Sequence, residues 1–565
     1  MQRIVECVPN FSEGRNTERI DAIIRSIRSV AGVELLDVDP GAETNRTVVT
    51  FVGNPDDIVE AAFRGIAEAA ARIDMRDHKG AHPRMGATDV CPFVPVRGVT
   101  MEECVALARR LGERVGRDLG IPVYLYERAA SRPERKNLAD VRSGEYEGLS
   151  SRIGNAFWKP DFGPAEFNER SGATAIGARE FLIAYNVNLN TRSRKLAHAI
   201  ALDIRETGRR KRDAHGNAVR DERGDFVITP GKLPECKAVG WYIPEYGAAQ
   251  VSINLTNYHA TSLETAFDAV CEEAEKRGLR VTGSEIVGLV PLEAIRLAGV
   301  HYLKRQGLSP GVPEAELVHV AVKSLGLDDL TPFDPHQKII EYRLRRKNLL
   351  VDRSIRDFLD EVSTDSHAPG GGSVASLMGA LSTALAAMVA SLTVGKPSYE
   401  GEWEAMKEIG FEAQLLKDTY QTDIDRDAEA FHELFAAMKM RQTTPAEVTA
   451  RKDALGRATK GAIEVPLAVL ERSVRAAELA REVATKGNRS SLSDAGVAAL
   501  AARACAEGAF QNVLINLPGI EDQEWVQATM LRARSALSKV RSVTEGVAAF
   551  VEDSLEEAAH SQKVT

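Results

Sequence analysis

Two periodicities divide the chain. Over the first 330 residues, short β-rich runs alternate with stretches of helical spacing. "RIVECVP" predicts a strand, residues 16–31 a helix, and "VELLDVD" and "RTVVTFVG" two further strands. Helical spacing returns at 56–73 and 101–118, and "PVYLY" at 122–126 closes the set. Near residue 180 the pattern restarts. "EFLIAYNVNL" alternates apolar and polar positions, 192–207 has helical spacing, and "KAVGWYIP" with "AQVSINLT" predicts a hairpin. A helix at 261–277 and the strand "RVTGSEIVG" follow. Both halves therefore predict strand–helix–strand–strand–helix–strand: two α/β subdomains of split βαβ topology, residues 1–178 and 179–326. The charged, turn-rich stretch "GRRKRDAHGNAVRDERGDFVITPG" (208–231) is expected to form a surface flap.

Beyond residue 352 strand signals vanish. Alanine becomes abundant, and apolar periodicity runs through 373–394, 402–440, 445–485, 492–516 and 522–558. The fold class is thus multidomain: two α/β subdomains, a linker at 327–351, and an all-α bundle over 352–565. Residues 370–395 carry no charge and are long enough to span a bilayer. They are rich in Ala, Gly, Ser and Thr and lack interfacial aromatics and a basic flank, so a helix buried in the bundle is expected instead.

Composition narrows the function classes. At 565 residues the chain exceeds what one hydrophobic core supports. A net charge of −9 leaves no basic excess for general nucleic-acid binding. Six scattered cysteines without a C-x-x-C pair, and an N-terminus without a signal segment, predict reduced thiols in the cytoplasm.

The stretch "RDHKGAHPRMGATDVCPF" (76–93) concentrates polar chemistry in a segment that fits neither helix nor strand. His78 and His82 have the spacing of a helical metal pair, but Gly80, Pro83 and Gly86 disfavour a helix and no third ligand is spaced to match. Three readings stand side by side: a metal site, a polar turn, and a catalytic loop in which an imidazole moves protons and Arg84 holds an anion. In the helical half, Tyr420, Ile424, Phe431, Leu434 and Met438 mark an apolar stripe that Asp427 shares, while Asp425 points off it towards solvent. A carboxylate on a buried face is paired, capping or functional, and burial raises its pKa. "PGGGS" (369–373) ahead of a helix fits an anion-binding N-terminus or a simple Pro-Gly helix start; it lacks the remainder of a phosphate loop.

The segments "VECVPNFSEGRN", "LLDVDPGAETNRTVVTFVG", "DHKGAHPRMGATDVCPFVPVRG", "PDFGPAEFNERSGATAIGARE" and "GWYIPEYGAAQVSINL" resemble glutamate formimidoyltransferase through residue 330. "SIRDFLDEVSTDSHAPGGGSVAS", "DIDRDAEAF" and "GNRSSLSDAGVAAL" resemble formimidoyltetrahydrofolate cyclodeaminase. The whole chain thus resembles the bifunctional formimidoyltransferase-cyclodeaminase family. That resemblance implies formimidoyl transfer between N-formimidoyl-L-glutamate and tetrahydrofolate, as in histidine breakdown, followed by closure to 5,10-methenyltetrahydrofolate with loss of ammonia. It puts the general acid/base on His82 and the cyclodeaminase aspartate on Asp427. The folate-binding segment falls on Gly163, Pro164, Ala165, Glu166, Phe167, Asn168, Glu169, Arg170, Ser171 and Gly172, with Asp39 and Arg46 as further polar candidates. It also implies tetrahydrofolate as co-substrate, glutamate as the other small-molecule partner, no metal, and a cytoplasmic homo-oligomer free of nucleic acid and membrane.

Overall fold

The computed structural model describes residues 3–42, 44–80, 83–213, 215–344 and 349–562, in two compact units. The first unit comprises residues up to 297 together with 325–345, and the second 298–324 together with the chain from 346 onwards.

The first unit opens with β1 (Ile4–Cys7), β2 (Asn10–Phe11), α1 (Thr17–Arg28), β3 (Val33–Gly41), β4 (Arg46–Gly53), α2 (Pro55–Arg72) and β5 (Thr88–Arg97). Strands β1 and β2 run in succession between β4 and β5, giving the antiparallel order β3, β4, β1/β2, β5. Helix α3 (Met101–Leu119), β6 (Val123–Glu127), α4 (Leu138–Val141), α5 (Glu145–Arg152) and β7 (Thr174–Ala178) extend this sheet, β7 lying parallel between β5 and β6. The closing strand of the βαββαβ unit is therefore Thr88–Arg97, not Pro122–Tyr126. Pro92 and Pro95 break its strand signature, but Cys91, Phe93 and Val94 are fully buried and hold it in the sheet interior. Side chains from α1, α2 and α3 fill one face, with Ile23, Ile58, Ile66 and Leu111 packed on Val5, Phe51 and Ile176. Met85, Tyr124, Tyr126 and Ala175 form a smaller core with Val141 and Leu149 of α4 and α5.

The second subdomain repeats the topology with β8 (Ile183–Leu189), α6 (Arg194–Ile204), β9 (Arg209–Arg210), β10 (Ile228–Thr229), β11 (Cys236–Ile243), β12 (Ala248–Leu255), α7 (Leu263–Glu275) and β13 (Val281–Val287). Its order β11, β12, β8, β13 is that of β3, β4, β1, β5, so both subdomains share one strand arrangement. The excursion at 208–231 is largely exposed and closes through the two-residue β9–β10 ladder. It contains an eight-residue repeat, "RDAHGNAV" and "RDERGDFV". Asp213 and Asp221 each accept two backbone N–H groups, from positions two and four ahead.

Helix α8 (Leu292–Arg305) and α9 (Glu314–Leu325) lead into the stretch expected to be a linker. Its residues 327–344 are instead built into the first unit. Asn188 Nδ2 donates to Asp329 Oδ2, and Val290 exchanges backbone hydrogen bonds with Lys338 and Ile340. Phe333, Ile339 and Ile340 are buried, flanking and within α10 (Pro335–Lys338) and α11 (Ile340–Arg343).

In the second unit, α12 (Ile355–Val362) precedes α13 (Gly371–Thr393), α14 (Trp403–Met438), α15 (Pro445–Lys486), α16 (Leu492–Asn516) and α17 (Gln523–Gln562). Small residues let these helices approach closely: a Cβ on Gly379 would lie 2.5 Å from the Tyr420 ring. Gly311, ahead of α9, meets the backbone of Gly410 in α14, and its carbonyl accepts from Ser391 Oγ and Gln414 Nε2. Helix α13 is the one described helix apolar and long enough to cross a membrane. It is not buried all round: Leu381, Met388 and Leu392 emerge on one side, because the neighbouring helices cover only the other faces.

Candidate active sites

In the first unit, chemistry-bearing loops gather at one end of the first sheet. The β2 exit, the β3–β4 hairpin tip and the starts of β5 and β7 meet there, as the pairings Phe11 with Thr47, Gly41 with Arg46 and Gly86 with Gly172 require. Glu13 receives the backbone N–H groups of Arg15 and Asn16 and the Arg19 guanidinium, fixing the start of α1. Asn45 ties three segments together: its side chain accepts from Gly14 N and donates to the Lys79 carbonyl, and its own carbonyl receives His78 Nε2 at 2.9 Å. Close backbone approach fixes the rest. A Cβ on Gly80 would sit 2.2 Å from Thr44 O, and one on Gly172, at φ +66°, 2.2 Å from Met85 O.

His78 does not fit a metal ligand. Arg84 Nε, which can only donate, points at His78 Nδ1, so the ring proton sits on Nε2 and goes to Asn45. Both nitrogens are thus engaged, and burial pushes the imidazole pKa below its ordinary value. Arg84 likewise departs from the expected substrate clamp. Its five N–H donors go to His78 Nδ1, the His78 carbonyl, Glu145 and, twice, Glu147, leaving none for an anion. Arg84 thus ties His78 to Glu145 and Glu147 of α5; His82 lies outside the described residues. A cavity of about 380 Å³ is lined by Lys79, Gly80, Arg84, Gly144, Glu145 and Glu147.

The segment Gly163–Gly172 grades from exposed to buried as it nears Gly86, with which Gly172 pairs. Gly163, Pro164, Ala165, Glu166, Glu169 and Arg170 are exposed, Phe167 and Asn168 half-buried, and Ser171 and Gly172 buried. Asn168 Oδ1 caps the turn through Ser171 N, and the Arg170 carbonyl receives Met75 N. Arg46 belongs to a charged group that the sequence did not reveal. Burial and the nearby Arg142 lower its pKa, while Asp89 and Asp39 oppose the shift. Fully buried Asp89 accepts from Met85 N and pairs with Arg142.

In the second unit, Asp427 lies on the N-terminus of α13. Gly372 touches it so closely that a Cβ there would fall 2.0 Å from Oδ1. Ser373 Oγ is 3.2 Å from Oδ2, and the Ser373 backbone N–H also favours the carboxylate. Burial outweighs both and raises the Asp427 pKa. Asp425 does not point to solvent. It is half-buried and accepts from the backbone N–H groups of Leu350 (2.6 Å) and Val351, so it anchors the stretch of chain entering the bundle. The most buried carboxylate of the motif is one that the apolar stripe did not single out. Asp423 is 0 % exposed and pairs with Arg426 and with Arg472 of α15.

Comparison with known proteins covers both units. The description "Formiminotransferase domain, N-terminal subdomain" matches residues 4–179, "Formiminotransferase domain" 184–345, and "Formiminotransferase-cyclodeaminase" 354–535. The formimidoyltransferase-cyclodeaminase of Mus musculus is 43% identical over 545 residues, which is 96% of this chain and 97% of the mouse protein. The chain belongs to the formimidoyltransferase-cyclodeaminase family. Each half also has a free-standing relative. The glutamate formimidoyltransferase of Streptococcus pyogenes serotype M1 is 43% identical over 54% of this chain and 94% of its own length. The methenyltetrahydrofolate cyclohydrolase of Methylorubrum extorquens is 33% identical over 35% of this chain and 94% of its own. Family membership therefore extends across both units, and each of the two loop clusters lies inside a matched domain.

Proposed function

We propose that the chain is a bifunctional folate enzyme with one reaction in each unit. The α/β unit passes a formimidoyl group between N-formimidoyl-L-glutamate and N5 of tetrahydrofolate. His82 takes the proton from the attacking nitrogen and returns one to the departing nitrogen as the tetrahedral carbon collapses, so the step runs in either direction. The segment Gly163–Gly172 holds the folate, its buried Ser171–Gly172 end nearest the reacting atoms. The helical unit closes 5-formimidoyltetrahydrofolate. N10 attacks the formimidoyl carbon, Asp427 accepts the N10 proton and delivers it to the amino nitrogen, and that nitrogen leaves as ammonia. The positive charge of the formimidinium passes to the methenyl bridge.

The observation that carries the reading is the Asp427 carboxylate, held over Gly372 and Ser373 with its pKa raised by burial. A carboxylate shifted in that direction is suited both to take a proton and to give it back. Purified protein with 5-formimidoyltetrahydrofolate is expected to accumulate methenyltetrahydrofolate absorbance and ammonia. With tetrahydrofolate and N-formimidoylglutamate it is expected to release glutamate. His82→Ala should reduce transfer by about 10²–10⁴-fold and leave cyclisation intact; loss of both activities in a folded variant would refute two separate sites. The cyclohydrolase relative motivates a second reading of the helical unit, hydrolysis of the methenyl bridge. In that case added methenyltetrahydrofolate would disappear.

Self-association is part of the proposal. Leu381, Met388 and Leu392 form an exposed apolar row on α13, at spacings of seven and four. A second copy of the chain is expected to cover this row, and light scattering that returned a monomer would remove this element.

A further inference from the structure

Three aromatic rings from two segments converge beside Asp427, and the reaction as described uses none of them. Phe431 and Phe435 follow Asp427 by one and two turns on α14, about 6 Å apart along its axis. Their rings are 18° from parallel, with centroids 6.4 Å apart. His367 faces both, 6.2 Å from Phe431 and 5.1 Å from Phe435. It comes from the same loop that delivers Gly370–Ser373 to the Asp427 carboxylate. Phe431 is 37% exposed and His367 is exposed, although the bundle core lies on the other side of the helix. A partly exposed phenyl ring forgoes the gain of full burial, and its grouping with half-buried Phe435 and exposed His367 at one edge of a carboxylate site is an unusual use of surface.

We infer that His367, Phe431 and Phe435 form a stacking platform for the aminobenzoyl ring of the folate closed at Asp427. The inference rests on the cyclodeaminase reading above and specifies how its substrate is held. Covalent connectivity supports it, because N10 is bonded directly to the aminobenzoyl ring. A carboxylate that takes the N10 proton must therefore have that ring within a few ångströms. Among the described residues this is the exposed aromatic surface on the helix that carries Asp427, and planar rings gain both dispersion and quadrupole attraction on such a surface. Lys439 Nζ sits over the Phe435 ring, 4.1 Å from its centroid, so one face of that ring is already taken. His367 and Phe431 are left as the faces open to ligand.

The test uses the full chain with three forms of residue 431: Phe, Leu and Trp. Stacking predicts that Phe431→Leu raises KM for 5-formimidoyltetrahydrofolate by roughly tenfold while kcat changes far less. Phe431→Trp should restore KM, since it keeps a π-face that leucine of similar apolarity lacks. His367→Ala should shift KM in the same direction as Phe431→Leu. A purely structural role predicts the opposite ranking, because leucine fits a packing site better than the larger indole; that ranking, or an unchanged KM in Phe431→Leu, overturns the platform. So does a change in sedimentation of Phe431→Leu without a change in KM, which would make the surface a contact between copies. Equilibrium dialysis of tetrahydrofolate separates this inference from its parent. If the wild-type chain forms no methenyl product, the role of Asp427 fails. Weakening of one folate site by Phe431→Leu and its recovery in Phe431→Trp would still support the platform, and equal binding in all three would refute it.

Discussion

Three aspartates within five residues of α14 have three different fates, and exchanging each for asparagine separates them. Asp427→Asn removes the proposed proton acceptor and should reduce cyclisation by about 10²-fold or more. Its folded pKa is raised, so the ionised form costs stability once pH exceeds the ordinary carboxylate range. The variant should therefore melt higher than wild type at pH 7 and level with it near pH 3. Asp423→Asn leaves Arg472 without its buried counter-charge and should cost about 3 kcal/mol in chemical denaturation. Asp425→Asn keeps an acceptor for Leu350 and Val351 and, because burial raises the Asp425 pKa as well, should change stability at pH 7 by less than about 1 kcal/mol, with cyclisation retained. The helical spacing that selects Asp427 selects Asp423 equally, three residues after Tyr420 and four before Asp427. Sequence phase alone could have flagged both, but it could not tell that Arg472 neutralises one and leaves the other to Ser373. Glu6 on β1 offers an independent pH test. Burial raises its pKa to about 7, with Arg179 opposing and Glu341 adding to the shift. Stability from this group is full below the unfolded pKa of about 4.5 and is lost as pH rises through about 7. Glu6→Gln should thus raise the melting temperature at pH 8, by a free energy on the order of 3 kcal/mol, and not at pH 4. Parallel pH curves for the two proteins would contradict the burial argument.

At the scale of elements, the N-terminus of α13 and the 208–231 excursion make opposite predictions. Gly372→Ala puts a methyl where the Asp427 carboxylate lies, so the carboxylate must move. Cyclisation should fall at least about tenfold with the helix content unchanged by circular dichroism, because alanine favours helix as strongly as any residue. The excursion closes on its own β9–β10 ladder and is internally bonded through Asp213 and Asp221. Joining Lys211 to Ile228 through a two-residue turn should leave transfer rate and melting temperature within error of wild type, as loop length enters stability only logarithmically. A dead transferase would assign the repeat to the site. The flap was legible from its charge and turn residues. The strand Thr88–Arg97 was not, because its two prolines carry the signature of a loop and its place depends on partners β1 and β7 that are distant in sequence.

For the whole molecule, the two units do not divide where composition changes. Residues 298–324 belong with the bundle and 325–345 with the α/β unit, so the chain enters the second unit, returns, and enters it again. A fragment starting at residue 352 lacks Gly311 and its hydrogen bonds from Ser391 and Gln414. It should be helical but melt several degrees below a fragment starting at residue 291, as measured by circular dichroism. Equal melting temperatures would show that α9 adds nothing to the bundle.

The sequence by itself determined the alternation of strand and helix, the change to a bundle near residue 352, and the loops that hold the candidate chemistry. Those depend on periodicity and turn residues, which act over a few positions. The tertiary structure alone decided which polar groups are spent. Arg84, an anion clamp by composition, has all its donors taken by His78, Glu145 and Glu147. Asp425, on the flank of its helix, finds the backbone of Leu350 instead of water. Burial and hydrogen bonding are properties of neighbours brought together across tens of residues, and no local pattern encodes which neighbour arrives.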